Sequence, residues 1–111
     1  MSSKVFLIQS QVLGRGDDKL GMVLMANFLR LLGESKDKPA SLVFWNTGVS
    51  LVCEGSPVLD YLKRLETQGV EIAACTTCLE YFDLADKIQV GKPTTMVKSI
   101  QSMLSSEVVC L

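Results

Sequence analysis

Cys75-Thr76-Thr77-Cys78 is the segment of this sequence best suited to chemistry. A thiol attacks or ligates as the thiolate, and two thiols at C-x-x-C spacing can share a proton or close a disulfide. The segment ends a strand-like apolar run, Val70 to Ala74, and opens a short helical stretch from about Cys78 to Phe82. A cysteine at such a junction meets unpaired backbone N–H groups and the positive end of a helix dipole, which lower its pKa. Two inert, packed cysteines are the bland alternative. A zinc site needs a second pair of ligands. Cys53 and Cys110 are isolated in apolar settings that suit packing, and the 111 residues include no histidine, so no metal site is expected. The missing imidazole also removes Ser-His-Asp and Cys-His catalysis, leaving thiols, carboxylates, lysines, hydroxyls and backbone groups.

Two other loops fall where ligands bind in open α/β sheets, beyond the carboxyl ends of strands. In Gly14-Arg15-Gly16-Asp17-Asp18 the glycines permit a tight turn. The run is neither G-x-G-x-x-G nor a P-loop, and its two acids already occupy the helix start that a phosphate would use. Asn46-Thr47-Gly48-Val49 offers an asparagine that can hold a neighbouring loop and a glycine that permits the turn. Gly14, Gly16, Asp17, Asn46 and Gly48 are the candidate binding residues, with plain loop architecture as the alternative.

The elements that position these loops alternate between two periods. Strands are expected at Lys4 to Gln9, Ser41 to Trp45, Val70 to Ala74 and Lys87 to Val90, with a fifth at Glu107 to Leu111 on the sheet edge. A first helix runs from Lys19 to Leu32, with Asp17 or Asp18 as N-cap, Gly33 as C-cap, and Leu20, Val23, Leu24, Phe28, Leu31 and Leu32 as its inner stripe. Met22, Met25 and Leu29 lie off that stripe and widen the apolar surface, for burial or for a subunit contact. A second helix starts at Ser56-Pro57, buries Val58, Leu62 and Leu65, and closes at Gln68-Gly69. A last one spans about 94–105 on Val97, Ile100 and Leu104. Strand-helix alternation at this spacing implies right-handed crossovers. The expected fold is therefore a three-layer α/β domain over 1–111, with a mostly parallel sheet of about five strands and helices on both faces.

Composition excludes several classes. Hydrophobic residues at 48% and charged residues at 21% suit a packed domain, not a disordered chain. Eleven basic residues against twelve acidic ones leave no positive field for nucleic acid. The first apolar run, Val5 to Ile8, is too short for a secretory h-region or a membrane span. A cytoplasmic protein with reduced thiols, touching neither membrane nor nucleic acid, is expected.

Gly14-x-Gly16-Asp17-x-x-Leu20-Gly21, Phe44-x-Asn46-x-Gly48-Val49 and Cys75-x-x-Cys78-Leu79 ahead of Val90-Gly91 occur in that order along nearly the whole chain. This pattern resembles the DsrE/DsrF-like sulfur-relay superfamily, in particular the C-terminal domain of YedF-type proteins associated with selenium metabolism. The resemblance implies a parallel α/β fold, a homo-oligomer (dimer, trimer or hexamer) and a persulfide on the cysteine ending the third strand, here Cys75, with Cys78 as its neighbour. Thr76 stands where that branch usually has glycine. YedF-type chains also carry a TusA-like carrier domain, so the resemblance implies a sulfur donor or acceptor protein, TusA-like, on another chain. No cofactor is implied. The expected function is a sulfur or selenium relay. The alternatives are a non-catalytic module binding a small ligand or a protein through loops 14–18 and 46–49, and a dithiol redox protein. For the redox reading, the Trp-Cys-Gly-Pro-Cys context and nearby proline of thioredoxins are missing.

Overall fold

A computed structural model describes residues 3–111. Its strands are β1 (Lys4–Ile8), β2 (Ser41–Phe44), β3 (Glu71–Cys75), β4 (Lys92–Thr94) and β5 (Glu107–Cys110), and its helices are α1 (Asp18–Glu34), α2 (Leu59–Thr67), α3 (Thr76–Tyr81) and α4 (Met96–Leu104). A 3₁₀ segment, Asn46–Val52, follows β2. The sheet has the order β4-β3-β2-β1-β5, and every pairing in it is parallel. All four residues of β2 are buried, as a central strand covered on both faces requires.

From β1 through β4 the chain steps steadily toward one edge. It then returns through α4 across the whole sheet to β5. With every crossover right-handed, that reversal sends α4 to the face opposite α1 and α2. Alternation along the strands matches. Phe6, Ile8, Leu42, Phe44, Ile72 and Ala74 pack with Met25, Leu29, Leu62 and Leu65 of α1 and α2. Val5, Leu7 and Val43 form a smaller cluster with Met103 of α4. The three-layer α/β fold expected from the sequence is present, with its sheet wholly parallel. Among the described residues no helix is long and apolar enough to cross a membrane.

Several expected details are corrected. The inner side of α1 is Gly21, Met25, Leu29 and Gly33, at i, i+4 spacing, and Leu20, Val23, Leu24 and Leu31 point outward. Close approach decides this. A Cβ on Gly21 would lie 2.8 Å from Val12 Cβ, and one on Gly33 would lie 3.3 Å from the Arg64 side chain. The two glycines therefore face the contact, and the helix continues through Gly33 to a cap at Ser35. At the other end Asp17 is the N-cap, accepting from the Leu20 N–H at 2.8 Å. Helix α2 begins after Val58, and Ser56 Oγ accepts from the Val58 N–H ahead of it.

Helix α4 is also turned relative to expectation. Val97 is 65% exposed and Leu104 84%, with Ile100 exposed between them. Its side toward the sheet carries Ser99, Ser102 and Met103, and Ser99 and Ser102 with the exposed Lys98 and Gln101 and with Ser41, Glu71 and Thr94 line an open polar cavity of about 400 Å³. Ser99 is buried, and its Oγ has no hydrogen-bond partner. The expected fourth strand at Lys87–Val90 is instead a loop in which Ile88 forms an antiparallel bridge with Cys53. The paired segment is Lys92–Thr94, where Pro93 is tolerated because β4 is an edge strand. Cys110, expected to pack, is exposed on the other edge, whereas Cys53 is buried as expected.

These orientations are testable by chemical denaturation. Leu29→Ala is expected to cost about 2–5 kcal/mol, and Val23→Ala no more than about 0.5 kcal/mol. The opposite ranking would restore the sequence-derived stripe. Ser99→Ala, which removes an unpartnered buried hydroxyl, is expected to raise stability by up to about 1 kcal/mol.

Candidate thiol site at the carboxyl end of the sheet

Connections leaving β1, β2 and β3 run to one face of the sheet, and the connection leaving β4 runs to the other. The carboxyl ends of β3 and β4 therefore form the point where connections diverge, the usual place for a site in an open α/β sheet. Cys75 is the last residue of β3 and pairs with Thr94, the last residue of β4. The chain turns directly from Cys75 into α3, with Cys75 as N-cap in extended conformation. Thr76 Oγ1 donates to the Thr94 carbonyl at 2.9 Å, tying the first turn of α3 across the divergence point. A glycine at this position would lack that tie.

The two thiols are free and unequally placed. Cys75 is only 4% exposed. Cys78, one turn later, is half-buried and lines an open concavity of about 520 Å³ with Asn46, Thr77, Tyr81 and Phe82. Phe82 is exposed and Tyr81 is 83% exposed. Their rings meet edge to face, centroids 5.1 Å apart. Residues three and four positions beyond a helical cysteine share its face. That spacing makes Tyr81 and Phe82 findable from sequence, although the sequence reading did not single them out.

Asn46 reaches the site from the end of β2. Its φ of 52° lies in the left-handed region, which asparagine tolerates better than most residues. Its backbone N–H donates to Cys78 Sγ at 3.1 Å. Its side-chain Oδ1 accepts from the Thr47 N–H at 2.8 Å, holding the turn. Gly48 serves this approach sterically. A Cβ there would lie 2.6 Å from the Ile8 carbonyl oxygen, so only glycine lets the 3₁₀ segment sit against the end of β1. Of the candidate binding residues, Asn46 thus meets Cys78 directly and Gly48 supports it. Gly14 and Gly16 are turn residues with φ of 83° and 123°. With Asp17 they stand outside the walls of the Cys78 concavity.

Electrostatics differ from the simple junction argument. Burial pushes the Cys78 thiol above its ordinary value, and the neighbouring Cys75 adds to that, while the Asn46 N–H pulls the other way without reversing it. Helix α3 has only six residues, so its dipole is weak. Cys53 is also pushed up, by burial. Among the described residues no three cysteine or carboxylate side chains converge to hold a metal ion. The arrangement suits a protected thiol beside an accessible one, one helical turn apart.

Iodoacetamide is expected to label Cys78 and Cys110 well before Cys75 and Cys53, read by peptide mass. Because only the thiolate reacts, and the Cys78 pKa is raised, its labelling rate should climb about tenfold per pH unit and keep rising past about 8.5, the ordinary thiol value. A plateau below pH 8 would show a depressed pKa instead.

No protein-family model matches this chain, and no curated protein matches it. Solved structures do. The ychN protein from E. coli superposes with a TM-score of 0.76 at 18% identity, covering 100% of both chains. MTH1491 from Methanobacterium thermoautotrophicum, described as a protein of unknown function, gives 0.71 at 19% identity over 97% of each chain. BT1422 from Bacteroides thetaiotaomicron, a conserved protein of unknown function, gives 0.66 at 16% identity over 98% of this chain and 95% of its own. The chain thus shares its entire fold with these small proteins.

Proposed function

We propose that this chain is a sulfur-relay protein of the DsrE/DsrF-like kind, in which the Cys75–Cys78 pair takes up a sulfane sulfur and Cys75 stores it as a persulfide. The observation that carries this reading is the pairing of a buried thiol with an accessible one at the divergence point of a parallel sheet. The Gly14, Asn46 and Cys75 motifs add support by resemblance. In the reaction a cysteine thiolate attacks the outer sulfur of a donor hydropersulfide. A new S–S bond forms to the protein, the donor's S–S bond breaks, and the donor leaves as its thiol. Sulfur oxidation states are conserved overall, so the transfer needs no cofactor. A selenium analogue follows the same course.

The relay requires a donor or acceptor protein, and a TusA-like carrier in the cytoplasm is the partner that the resemblance proposes. Self-association belongs to the same proposal. Leu20, Val23, Leu24 and Leu31 on α1, and Val97, Ile100 and Leu104 on α4, leave two apolar stripes in water.

Incubation with a cysteine desulfurase and cysteine, followed by intact-mass measurement, tests the reading. The wild type is expected to gain one sulfur atom, and the Cys75→Ser, Cys78→Ser double variant none. Equal gain by the double variant, or none by either protein, overturns the proposal. Loss of two hydrogens without added sulfur would indicate dithiol redox chemistry instead.

A further inference from the structure

The walls around Cys78 carry information about what approaches it. Asn46, Thr77, Tyr81 and Phe82 include no lysine, arginine, aspartate or glutamate. The segment that supplies most of the wall, Thr76 to Asp86, contains Glu80, Asp83 and Asp86, and the first basic residue, Lys87, comes only after them. All three acids are exposed. An anionic ligand would therefore find no counter-charge in the wall itself and three acids on the segment that builds it. An apolar group would find two exposed rings. Cys75 has no such approach, being 4% exposed behind its neighbour.

From this we infer that sulfur enters through Cys78, delivered by a hydropersulfide whose organic group is uncharged and apolar, and passes inward to Cys75. The inference rests on the relay reading above and specifies its substrate class and the order of its thiols. In the first step the Cys78 thiolate bonds to the donor's outer sulfur and the donor's inner sulfur departs with the electron pair of the broken S–S bond, taking up a proton to become the thiol. In the second, the Cys75 thiolate attacks the outer sulfur now on Cys78, giving Cys75–S–SH and returning Cys78 to thiolate. Neither step changes the overall oxidation state. The inward transfer places the sulfane sulfur where external thiols reach it poorly.

Loading is measured by intact mass with two small donors that differ in the organic group, benzyl hydropersulfide and glutathione hydropersulfide. The wild type is expected to load at least several-fold faster from the benzyl donor at low salt. Added salt should speed the glutathione donor and leave the benzyl donor unchanged. Glu80→Lys, at an exposed position, is expected to accelerate the glutathione donor several-fold, and Tyr81→Ala to slow only the benzyl donor. Cys78→Ser should abolish loading from either donor. Cys75→Ser should load but surrender its sulfur to dithiothreitol several-fold faster than the wild type. Equal rates from the two donors, no response to Glu80→Lys, or wild-type loading by Cys78→Ser would each overturn the inference. The relay reading would survive those results wherever the desulfurase still loads the protein, and fails separately if no donor does.

Discussion

The constraint on which this structure turns is the single hand of its crossover connections. A right-twisted parallel sheet accepts a returning helix only on one side for a given direction of travel. Three steps one way followed by one long return therefore place α1 and α2 against one face and α4 against the other. The β3 and β4 ends then become the place where the chain parts. Cys75 and Thr94 occupy that place by pairing in the sheet, before any side-chain chemistry is considered. The bond from Thr76 to the Thr94 carbonyl and the short helix that carries Cys78 are consequences of the same geometry.

Within this frame the Cys78 thiol is tuned mainly by burial, with Cys75 adding to the same upward push. A protein without histidine has no side-chain base poised near neutrality to set against a thiol. Here the activating group is a backbone N–H, aimed at Cys78 by an asparagine held in the left-handed region. Its pull is weaker than the desolvation around it, so the thiol stays protonated at neutral pH. On the relay reading proposed above, low background reactivity restricts exchange to donors that dock well enough to compensate.

Much of this was legible in the residues. The strand-helix alternation, the Asp17 cap, the inner stripe of α2 and the junction at Cys75 all rest on local signals such as period, capping and turn chemistry. The misread parts depend on long-range packing. On α1 a run of large apolar residues outnumbers the true contact side, and two glycines decide the matter through close approach to Val12 and Arg64. On α4 the apolar side is so clear in sequence that its exposure is invisible without the polar surface of Ser41 and Glu71 beneath it. The apolar run at Lys87–Val90 mimics a strand, whereas the real edge strand contains a proline that argues against itself. At the site, the sequence marked both cysteines and Asn46 but not the cysteines' unequal depth, since the two differ by one turn of a helix that starts two residues earlier than its local signals suggest.

The two outward stripes have a consequence for symmetry. They lie on helices at opposite faces of the sheet, so no single contact between copies covers both. If like stripes pair with like, each contact is an isologous two-fold, and two such axes generate a closed dihedral set such as a tetramer. If α1 of one copy meets α4 of the next, the contact is heterologous, and the chain builds a ring or runs on as a filament. In either arrangement, an assembly that used both stripes would have a valence of two toward itself.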